Sequence, residues 1–363
     1  MSIDETFQTI VIGGGQAGLA AGYFLTQQDA AQQGSSFTIL DENIRTGDAW
    51  RRRWDSLRLF TPSKYNSLPG KPFPKPDFYF PTKDEAADYL EAYARQLNMP
   101  VQLNVKVNAL TRGDQGYRVS TSAGSLTAKN VIVATGAYQK PYTPPFARDL
   151  DPSILQLHSS AYCNPQQVPV KDVLVVGAGN SGVEIGLELA RAGKHIWLAG
   201  SDVGRIPADK LGRAFGGRLY WWFISQVLSV NTPIGRKMRS KVIYHGAPLI
   251  RANRQEVAAA GIESTSRVSG VQSGNPVLAD GRSLPVGGVI WATGFRPDYH
   301  WIDLPVFDEY GYPRHKRGMV QEAPGLYFVG LPFQTALSSA LLGGVSADAE
   351  YIIRQLTHNG HHI

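Results

Sequence analysis

Hydrophobic residues in this chain occur mainly in short continuous runs that end at glycine. Such runs occupy residues 10–12, 130–136, 173–176, 288–294 and 325–330. Apolar runs of this length bounded by glycine are typical of buried strands. The pattern therefore predicts a sheet-based core whose strands end at tight turns.

Helical spacing and alternation predict the remaining elements. Residues 83–97 place their apolar side chains on one side, with Asp84 in the first turn, where a carboxylate favours a helix start. The other predicted helices are 19–28, 183–192, 219–228 and 338–356. Residues 101–107, 117–121 and 125–128 predict a small antiparallel meander, and 37–41, 196–199, 267–271 and 277–278 predict further strands.

The first buried strand leads into three glycines at the spacing of a dinucleotide-binding turn. Gly13 permits a tight turn, Gly15 lets the backbone approach a pyrophosphate, and Gly18 lets the helix pack closely on its strand. The backbone N–H groups around Gln16 and Ala17 then face the phosphates at the helix start.

Asp41 ends the next predicted strand, 23 residues after Gly18 (41 − 18). A carboxylate at this point suits a ribose 2′-hydroxyl. The combination of turn, helix and acidic strand end favours a dinucleotide site over a simple glycine-rich turn.

The same pattern recurs 164 residues later (177 − 13). Gly177, Gly179 and Gly182 repeat the glycine spacing after a buried strand, with Asn180 and Ser181 between them. The repeat predicts an α/β fold of two Rossmann-like dinucleotide-binding domains. Either the chain binds two dinucleotides, or one copy is degenerate.

At 363 residues, the chain is long enough for two domains. Two strand ends read Ala-Thr-Gly, at residues 134–136 and 292–294, and we interpret them as the crossings between domains. The predicted division is 1–165 and 293–363 for a discontinuous first domain, with 166–292 inserted as the second.

Composition excludes several classes of protein. The single cysteine, Cys163, permits neither an intrachain disulfide nor a redox-active cysteine pair. The net charge of +6 includes the run Arg51-Arg52-Arg53, which we assign to dinucleotide phosphates rather than to nucleic acid. No metal-ligand set is predicted. The chain has neither an apolar run long enough to span a membrane nor a secretory signal, so a cytoplasmic location is expected.

Residues 219–228, Leu-Tyr-Trp-Trp-Phe-Ile-Ser-Gln-Val-Leu, are unusually aromatic. They predict a core or interface helix, which leaves a homodimer open. The alternative is a lid, or a helix at a membrane surface beside the substrate entrance.

With these residues in place, the chain resembles the two-dinucleotide-domain flavoprotein monooxygenases, which include the flavin-containing and Baeyer–Villiger enzymes. Within this family, the chain is most similar to the compact bacterial CzcO-like branch. The resemblance rests on both glycine loops, the stretch from Trp50 to Pro62, Leu157-His158-Ser-Ser, and Ala292-Thr-Gly-Phe-Arg-Pro297. It implies FAD in the first domain and NADPH in the second.

The resemblance also assigns residues to each cofactor. For FAD it implies Gly13, Gly15, Gln16, Ala17, Gly18, Asp41, Trp50, Arg58, Thr61, Ala134, Thr135, Gly136, Gly330, Gln334 and Ser338. For NADPH it implies Gly177, Gly179, Asn180, Ser181, Gly182, Thr293 and Gly294.

The end of the strand at 196–199 bears on the choice of nicotinamide cofactor. No carboxylate stands at that strand end, which favours the 2′-phosphate of NADPH. Ser201, Arg205 and Lys210 are candidates to hold the phosphate, whereas Asp202 argues mildly against it.

One departure from the family pattern concerns the fingerprint F-x-G-x-x-x-H. With its histidine on His158, Pro152 and Ile154 replace the Phe and the Gly. His158 is then either a hydrogen-bonded loop residue or the linker between domains. Asn180 and Asn66 are the other catalytic candidates, although Asn180 equally suits a simple helix start.

The resemblance implies a monooxygenase that transfers one oxygen atom from O2, through a hydroperoxyflavin, to a small amine, sulfide or ketone. Two alternatives remain open. One is a reductase that passes electrons to a quinone, a metal or a protein. The other is a flavin-bound redox sensor.

Overall fold

The computed structural model describes residues 5–32, 36–205, 217–245 and 248–359. The strands are β1 Glu5–Ile12, β2 Phe37–Leu40, β3 Val101–Gln102, β4 Val107–Gly113, β5 Gly116–Thr121, β6 Gly124–Val133, β7 Lys140–Pro141, β8 Leu155–His158, β9 Asp172–Val176, β10 His195–Ala199, β11 Glu263–Thr265, β12 Val268–Gln272, β13 Asn275–Leu278, β14 Gly288–Trp291, β15 Phe295–Arg296 and β16 Leu326–Phe328. The α-helices are α1 Gln16–Gln32, α2 Asp48–Arg51, α3 Lys83–Gln96, α4 Asn180–Arg191, α5 Arg218–Trp222, α6 Pro233–His245, α7 Arg254–Ala259 and α8 Val345–Asn359.

The first sheet has the order β3-β2-β1-β6-β5-β4, and β16 also pairs with β6. Strands β2, β1 and β6 run parallel, and Ile10 and Val131 lie side by side in the β1–β6 register. Both residues are fully buried. Parallel strands covered on both faces read as continuous apolar runs, which explains the sequence pattern.

The second sheet is parallel throughout, with the order β11-β10-β9-β14-β8. Its glycine loop follows β9, and β14 lies beside β9. The two sheets confirm the predicted α/β fold with Rossmann-like units. One contiguous buried cluster includes Val11 and Ile39 of the first sheet with Val175 and Ile290 of the second, so the two units share packed apolar surface.

Two short linker strands join the units. β7 follows the first Ala-Thr-Gly strand end, β15 follows the second, and the two pair antiparallel. The domain boundaries stay predictions; β8, which lies before the predicted boundary at 165, pairs in the second sheet.

The prediction of one strand over residues 101–107 is wrong for the residues between its two ends. It divides into β3 and β4, because Asn104 between them has a φ of 58°. Conversely, the predicted strands 125–128 and 130–136 form one strand, β6. It completes the antiparallel meander with β5 and also lies parallel to β1.

The predicted helix at 338–356 begins too early. Residues Leu337–Ala340 form a 3-10 turn, and α8 starts only at Val345. Four residues separate them, and the last two are Gly343 and Gly344. A Cβ at Gly343 would lie 2.3 Å from the carbonyl oxygen of Tyr65, and one at Gly344 would lie 2.1 Å from that of Ser338. The chain therefore forms a turn through Gly343 and Gly344 in close contact with these segments, and the helix starts only after them.

The aromatic helix predicted at 219–228 is α5 followed by a π-helical turn, Phe223–Val227. In the described part of the chain, no helix has both the length and the apolar character that a bilayer span demands.

Candidate functional site

The first glycine loop shows three different uses of glycine. Gly13 has a φ of 110°, and a Cβ there would lie 2.5 Å from the carbonyl oxygen of Ala134. A Cβ at Gly18 would lie 1.8 Å from the carbonyl oxygen of Gly13, whereas one at Gly15 would meet no atom within 4 Å. Packing therefore requires the outer glycines, and the middle one borders open space in front of the helix start.

The second loop repeats this geometry. A Cβ at Gly177 would lie 2.2 Å from the carbonyl oxygen of Ala292, and one at Gly182 would lie 1.8 Å from that of Gly177. Gly179 again borders open space, with no atom within 4 Å of its Cβ position. We call the open space at Gly15, and the corresponding space at Gly179, a cradle. A degenerate copy would not need an open cradle, so the geometry favours two dinucleotide sites.

Asp41 follows β2 and is 7% exposed. Its Oδ2 accepts a hydrogen bond from the backbone N–H of Gly14 at 2.6 Å. Its Oδ1 accepts from the backbone and the amide of Asn43, at 2.8 Å and 2.6 Å. These bonds hold the carboxylate against the glycine loop, where a ribose hydroxyl would approach the remaining lone pairs.

Gln16 connects the loop to two distant segments. Its Oε1 accepts from the indole N–H of Trp50 at 3.1 Å, and its Nε2 donates to the carbonyl oxygen of Ala340 at 3.5 Å. A Cβ at Gly330 would lie 2.8 Å from Cβ of Ala17. Trp50 and the C-terminal segment thus converge on the helix start.

Several predicted site residues have internal partners. Thr61 and Asn66 hydrogen-bond to each other, the amide of Asn66 also donates to the carbonyl oxygen of Thr61 at 2.8 Å, and both residues are buried. Arg58 donates to the carbonyl oxygen of Phe80 at 2.8 Å, and Gln334 donates to that of Phe328 at 2.9 Å. Ser338 lies buried in the 3-10 turn. The polar groups of Thr61, Asn66, Arg58 and Gln334 are therefore bonded within the protein, and their role at a flavin stays a prediction.

The interpretation of the arginine run needs a correction at Arg51. Its guanidinium bonds to Asp48 at 3.3 Å, to Asp88 at 2.8 Å and to Glu91 at 2.5 Å. Its charge is therefore neutralised within the protein, and it is not held ready for a phosphate.

The domain junction has a repeated form. Gly136 and Gly294 have φ angles of 78° and 79°, and neither has an atom within 4 Å of its Cβ position. The hydroxyl of Thr135 accepts from the amide of Gln139 at 2.8 Å, and that of Thr293 donates to the carbonyl oxygen of Tyr142. Both strand ends are therefore tied to the segment that contains β7.

His158 is fixed at this junction. The backbone N–H of Ser160 donates to its Nδ1 at 3.1 Å, so the ring proton lies on Nε2, which donates to the carbonyl oxygen of Gly294 at 3.0 Å. The ring packs edge-on against Phe295, and burial lowers its pKa below the ordinary histidine value. This geometry favours the linker role.

Arg53 was not singled out from the sequence as a junction residue. Its guanidinium carbon lies 5.4 Å from the ring centre of Tyr138 and 5.8 Å from that of Phe295. These rings follow the two Ala-Thr-Gly ends, so Arg53 joins both linkers by cation–π contacts.

We expect His158→Phe to destabilise the protein by about 1 kcal/mol, because the edge-on ring is kept and the bond to Gly294 is lost. Denaturant unfolding of the FAD-loaded protein measures this difference. A catalytic histidine would instead cause a large loss of turnover at unchanged stability, and that result would contradict the linker role.

Asn180 begins α4, and its side chain is fully engaged. Its amide donates to the carbonyl oxygen of Pro248 at 3.0 Å, and its oxygen accepts from the backbone of Ile250 at 3.0 Å. Ser181 follows in the first turn of α4. The geometry gives Asn180 a loop-fixing role beside the second cradle.

The end of β10 contains a residue that the sequence reading missed. Arg267 donates through Nε to the hydroxyl of Ser201 at 2.8 Å. Asp202 pairs with Arg254 at 2.6 Å, and Arg205 forms a β-bridge with Leu249. Lys210 lies outside the described residues. The only available signal for Arg267 was its position just after a strand that neighbours β10.

Together, these features define a class. Two open glycine cradles lie at the carboxyl ends of parallel strands, one in each sheet, and the linkers between the units are hydrogen-bonded to each other. This is a two-dinucleotide oxidoreductase fold. A family model described as pyridine nucleotide-disulphide oxidoreductase matches residues 10–208. The chain belongs to this family.

Individual relatives narrow the class. An uncharacterized CzcO-like oxidoreductase of Geobacillus kaustophilus is 41% identical over 352 residues, which cover 96% of this chain and 98% of that protein. A flavin-containing monooxygenase from Stenotrophomonas maltophilia superposes with a TM-score of 0.79 at 26% identity, covering 98% of this chain and 99% of that one. An indole-3-pyruvate monooxygenase of Oryza sativa subsp. japonica is 26% identical over 396 residues, covering 97% and 88%.

These similarities confirm the flavoprotein monooxygenase superfamily and an oxidoreductase activity. FAD and NADPH are the cofactors of such monooxygenases. The cradle at Gly15 and the cradle at Gly179 fit one dinucleotide each, because the space that a phosphate needs is open at both.

Proposed function

We propose that this protein is an NADPH-dependent monooxygenase that uses FAD and O2 to oxygenate a small organic amine, sulfide or ketone. The observation that carries the proposal is the pair of open cradles, at Gly15 and Gly179, in a chain with one cysteine. Electrons that leave the flavin have no intrachain disulfide to reduce. Molecular oxygen is the acceptor that the flavin monooxygenase relatives use.

In this proposal, residues 1–165 and 293–363 form the FAD domain and 166–292 the NADPH domain. The bound flavin would supply the hydride acceptance and the oxygen activation. The residues of the chain itself would bind and orient the two cofactors. Asp41 holds the ribose end, Gln16 and Trp50 flank the helix start, and His158 holds the junction across which the two cofactors meet.

A pocket of about 560 Å³ is a candidate substrate site. Its lining includes Tyr65 and Trp221, whose rings stack at 4.7 Å, and Arg218. The backbone of Tyr65 packs against Gly343, five residues after Ser338, which the resemblance assigns to FAD, and this closeness supports a substrate site near the flavin. Stacked aromatic rings favour a flat or apolar substrate.

The experiment uses the purified, FAD-loaded protein with NADPH, ¹⁸O2 and a panel of amines, sulfides and ketones. A product that contains one ¹⁸O atom, formed as NADPH is consumed, supports oxygenation. NADPH oxidation that yields only peroxide or reduced quinone would favour the reductase. Flavin reduction too slow for any turnover would favour the redox sensor.

The preference for NADPH is assigned to Arg267 and Ser201, whose side chains meet at the end of β10. We expect Arg267→Gln to lower kcat/KM for NADPH about tenfold while leaving that for NADH unchanged, because only the 2′-phosphate contact is lost. Steady-state kinetics with both nucleotides measures the ratio. Arg282→Gln, which removes an arginine already paired with Asp280, is the matched control. Equal losses with both nucleotides would contradict the assignment.

A further inference from the structure

Residues 217–245 have an unusual charge composition. This segment contains five arginines and lysines and no aspartate or glutamate. It begins with α5 and the π-helical turn and ends with α6. Its cations are therefore not neutralised from within the segment.

The inner faces of both helices pack on one small cluster. Tyr220, Ile224 and Leu228 are buried together with Phe333, and Met238 and Val242 of α6 pack against them. Each helix therefore has an outer side that faces away from this cluster, and these sides form the outer surface of the segment.

That outer surface is apolar where the fold does not require it. Leu219 is 50% exposed, Trp222 56%, Phe223 37% and Ile234 60%. They are four of the eight large hydrophobic side chains that are exposed in the described residues, and they fall within sixteen consecutive positions. Such clustering marks an interaction surface, because single exposed apolar residues are ordinary but contiguous ones are not.

Cations lie beside these apolar residues. Arg218 precedes them, and Arg236, Lys237 and Lys241 lie exposed on α6. A helix that lies in the interface of an anionic bilayer typically exposes Trp and Phe together with Lys and Arg, and it lacks carboxylates there. An interface with a protein partner, or with a second copy of this chain, would have a core that is depleted in charged residues. The lack of any carboxylate here argues against self-association through charge pairing.

We propose that residues 217–245 dock the protein on the surface of an anionic lipid bilayer, with Leu219, Trp222, Phe223 and Ile234 inserted and the cations facing the headgroups. Arg218 and Trp222 of this surface also line the candidate substrate pocket, so vesicle binding is measured without substrate or NADPH and does not depend on turnover.

The experiment measures co-sedimentation of the full-length, FAD-loaded protein with vesicles. Vesicles of phosphatidylcholine that contain phosphatidylglycerol are compared with vesicles of phosphatidylcholine alone. We expect binding to the anionic vesicles that weakens at least about tenfold in the neutral ones, or when NaCl is raised to about 1 M.

Two double variants test the two components. Lys237→Gln with Lys241→Gln is expected to weaken binding about twenty-five-fold, since each cation near an anionic surface contributes about fivefold. Trp222→Ser with Phe223→Ser is expected to weaken it by about tenfold or more. The matched controls are Lys106→Gln with Lys129→Gln, exposed lysines that lie just before β4 and in β6, and Tyr310→Ser, at an exposed aromatic elsewhere. FAD content and thermal unfolding verify that every variant is folded.

Three outcomes would overturn the proposal. The first is equal binding to neutral and anionic vesicles. The second is loss of binding in the controls as large as in the paired variants. The third is a wild-type dimer, seen by light scattering, that Trp222→Ser with Phe223→Ser converts to a monomer, because the surface would then cover a second copy of the chain.

Discussion

Gly15→Ala is expected to yield a folded protein that purifies without FAD. A methyl group at this position meets no protein atom within 4 Å, so the fold has no reason to change. The same methyl group would occupy the space through which a pyrophosphate approaches the backbone. We expect FAD affinity to fall at least about hundredfold. The ratio of released flavin to protein measures the loss, and unfolding in denaturant checks the fold.

Gly179→Ala is the counterpart in the second unit. It should purify yellow, with full FAD content, and bind NADPH about hundredfold more weakly, because its methyl group obstructs only the second cradle. Gly18→Ala and Gly182→Ala are the controls, since their methyl groups would lie 1.8 Å from a carbonyl oxygen and should disrupt packing. If Gly15→Ala kept its flavin, or if Gly179→Ala lost it, the assignment of one dinucleotide to each loop would be wrong.

The two loops could be predicted from sequence because a glycine spacing is a steric requirement of one local turn. Gly18 is needed by its own turn, and Gly13 has a positive φ in that turn, although Ala134 of the neighbouring strand also packs against it. Buried parallel strands are equally local, since their covered faces require apolar residues at every position. The α/β fold followed from these local facts.

The contacts that complete the site are not local. His158 bonds to Gly294, 136 positions away, and Gln16 reaches Ala340, 324 positions away. The side chains of Asn180 and Asn66 looked available in the sequence, yet both are engaged by backbone groups in the structure. Arg267 becomes a candidate phosphate-binding residue only in the structure, where β11 pairs with β10 and Arg267 bonds to Ser201.

Two wrong predictions, the start of α8 and the single strand over 101–107, had a partial signal in the sequence. The start of α8 was misplaced because residues 338–344 have apolar spacing, but Gly343 and Gly344 were a visible signal of close approach. Asn104 was a signal of a different kind, because asparagine tolerates the left-handed conformation that ends β3. Neither signal decides the structure without the neighbouring segment, since the same residues also occur in regular elements.

Glu184 lies in α4, one turn after the second glycine loop, and has an unusual environment. Its Oε1 is buried and has no hydrogen-bond partner, and Arg251 approaches it only to 3.8 Å. Arg251 donates to the carbonyl oxygen of Arg58 at 3.1 Å, so this group of residues joins the two units. Burial, only partly opposed by Arg251, raises the pKa of Glu184 to about 7.

The raised pKa makes stability depend on pH. Below its unfolded pKa the carboxyl group is protonated in both states, and no cost arises. As the pH rises towards 7, the unfolded chain releases a proton that the folded protein retains, so the free energy of unfolding falls. Above about pH 7 the folded protein bears the full cost of a buried carboxylate.

Glu184→Gln should therefore leave stability nearly unchanged at pH 4, below the unfolded pKa, and increase the free energy of unfolding by up to about 3 kcal/mol at pH 8. Denaturant unfolding of FAD-loaded protein without NADPH, at several pH values, measures the difference. Glu309→Gln removes the same charge from an exposed turn and should change stability by less than about 0.5 kcal/mol at either pH. A glutamine variant less stable than the wild type at pH 8 would mean that the carboxylate of Glu184 is stabilised by Arg251 rather than penalised by burial.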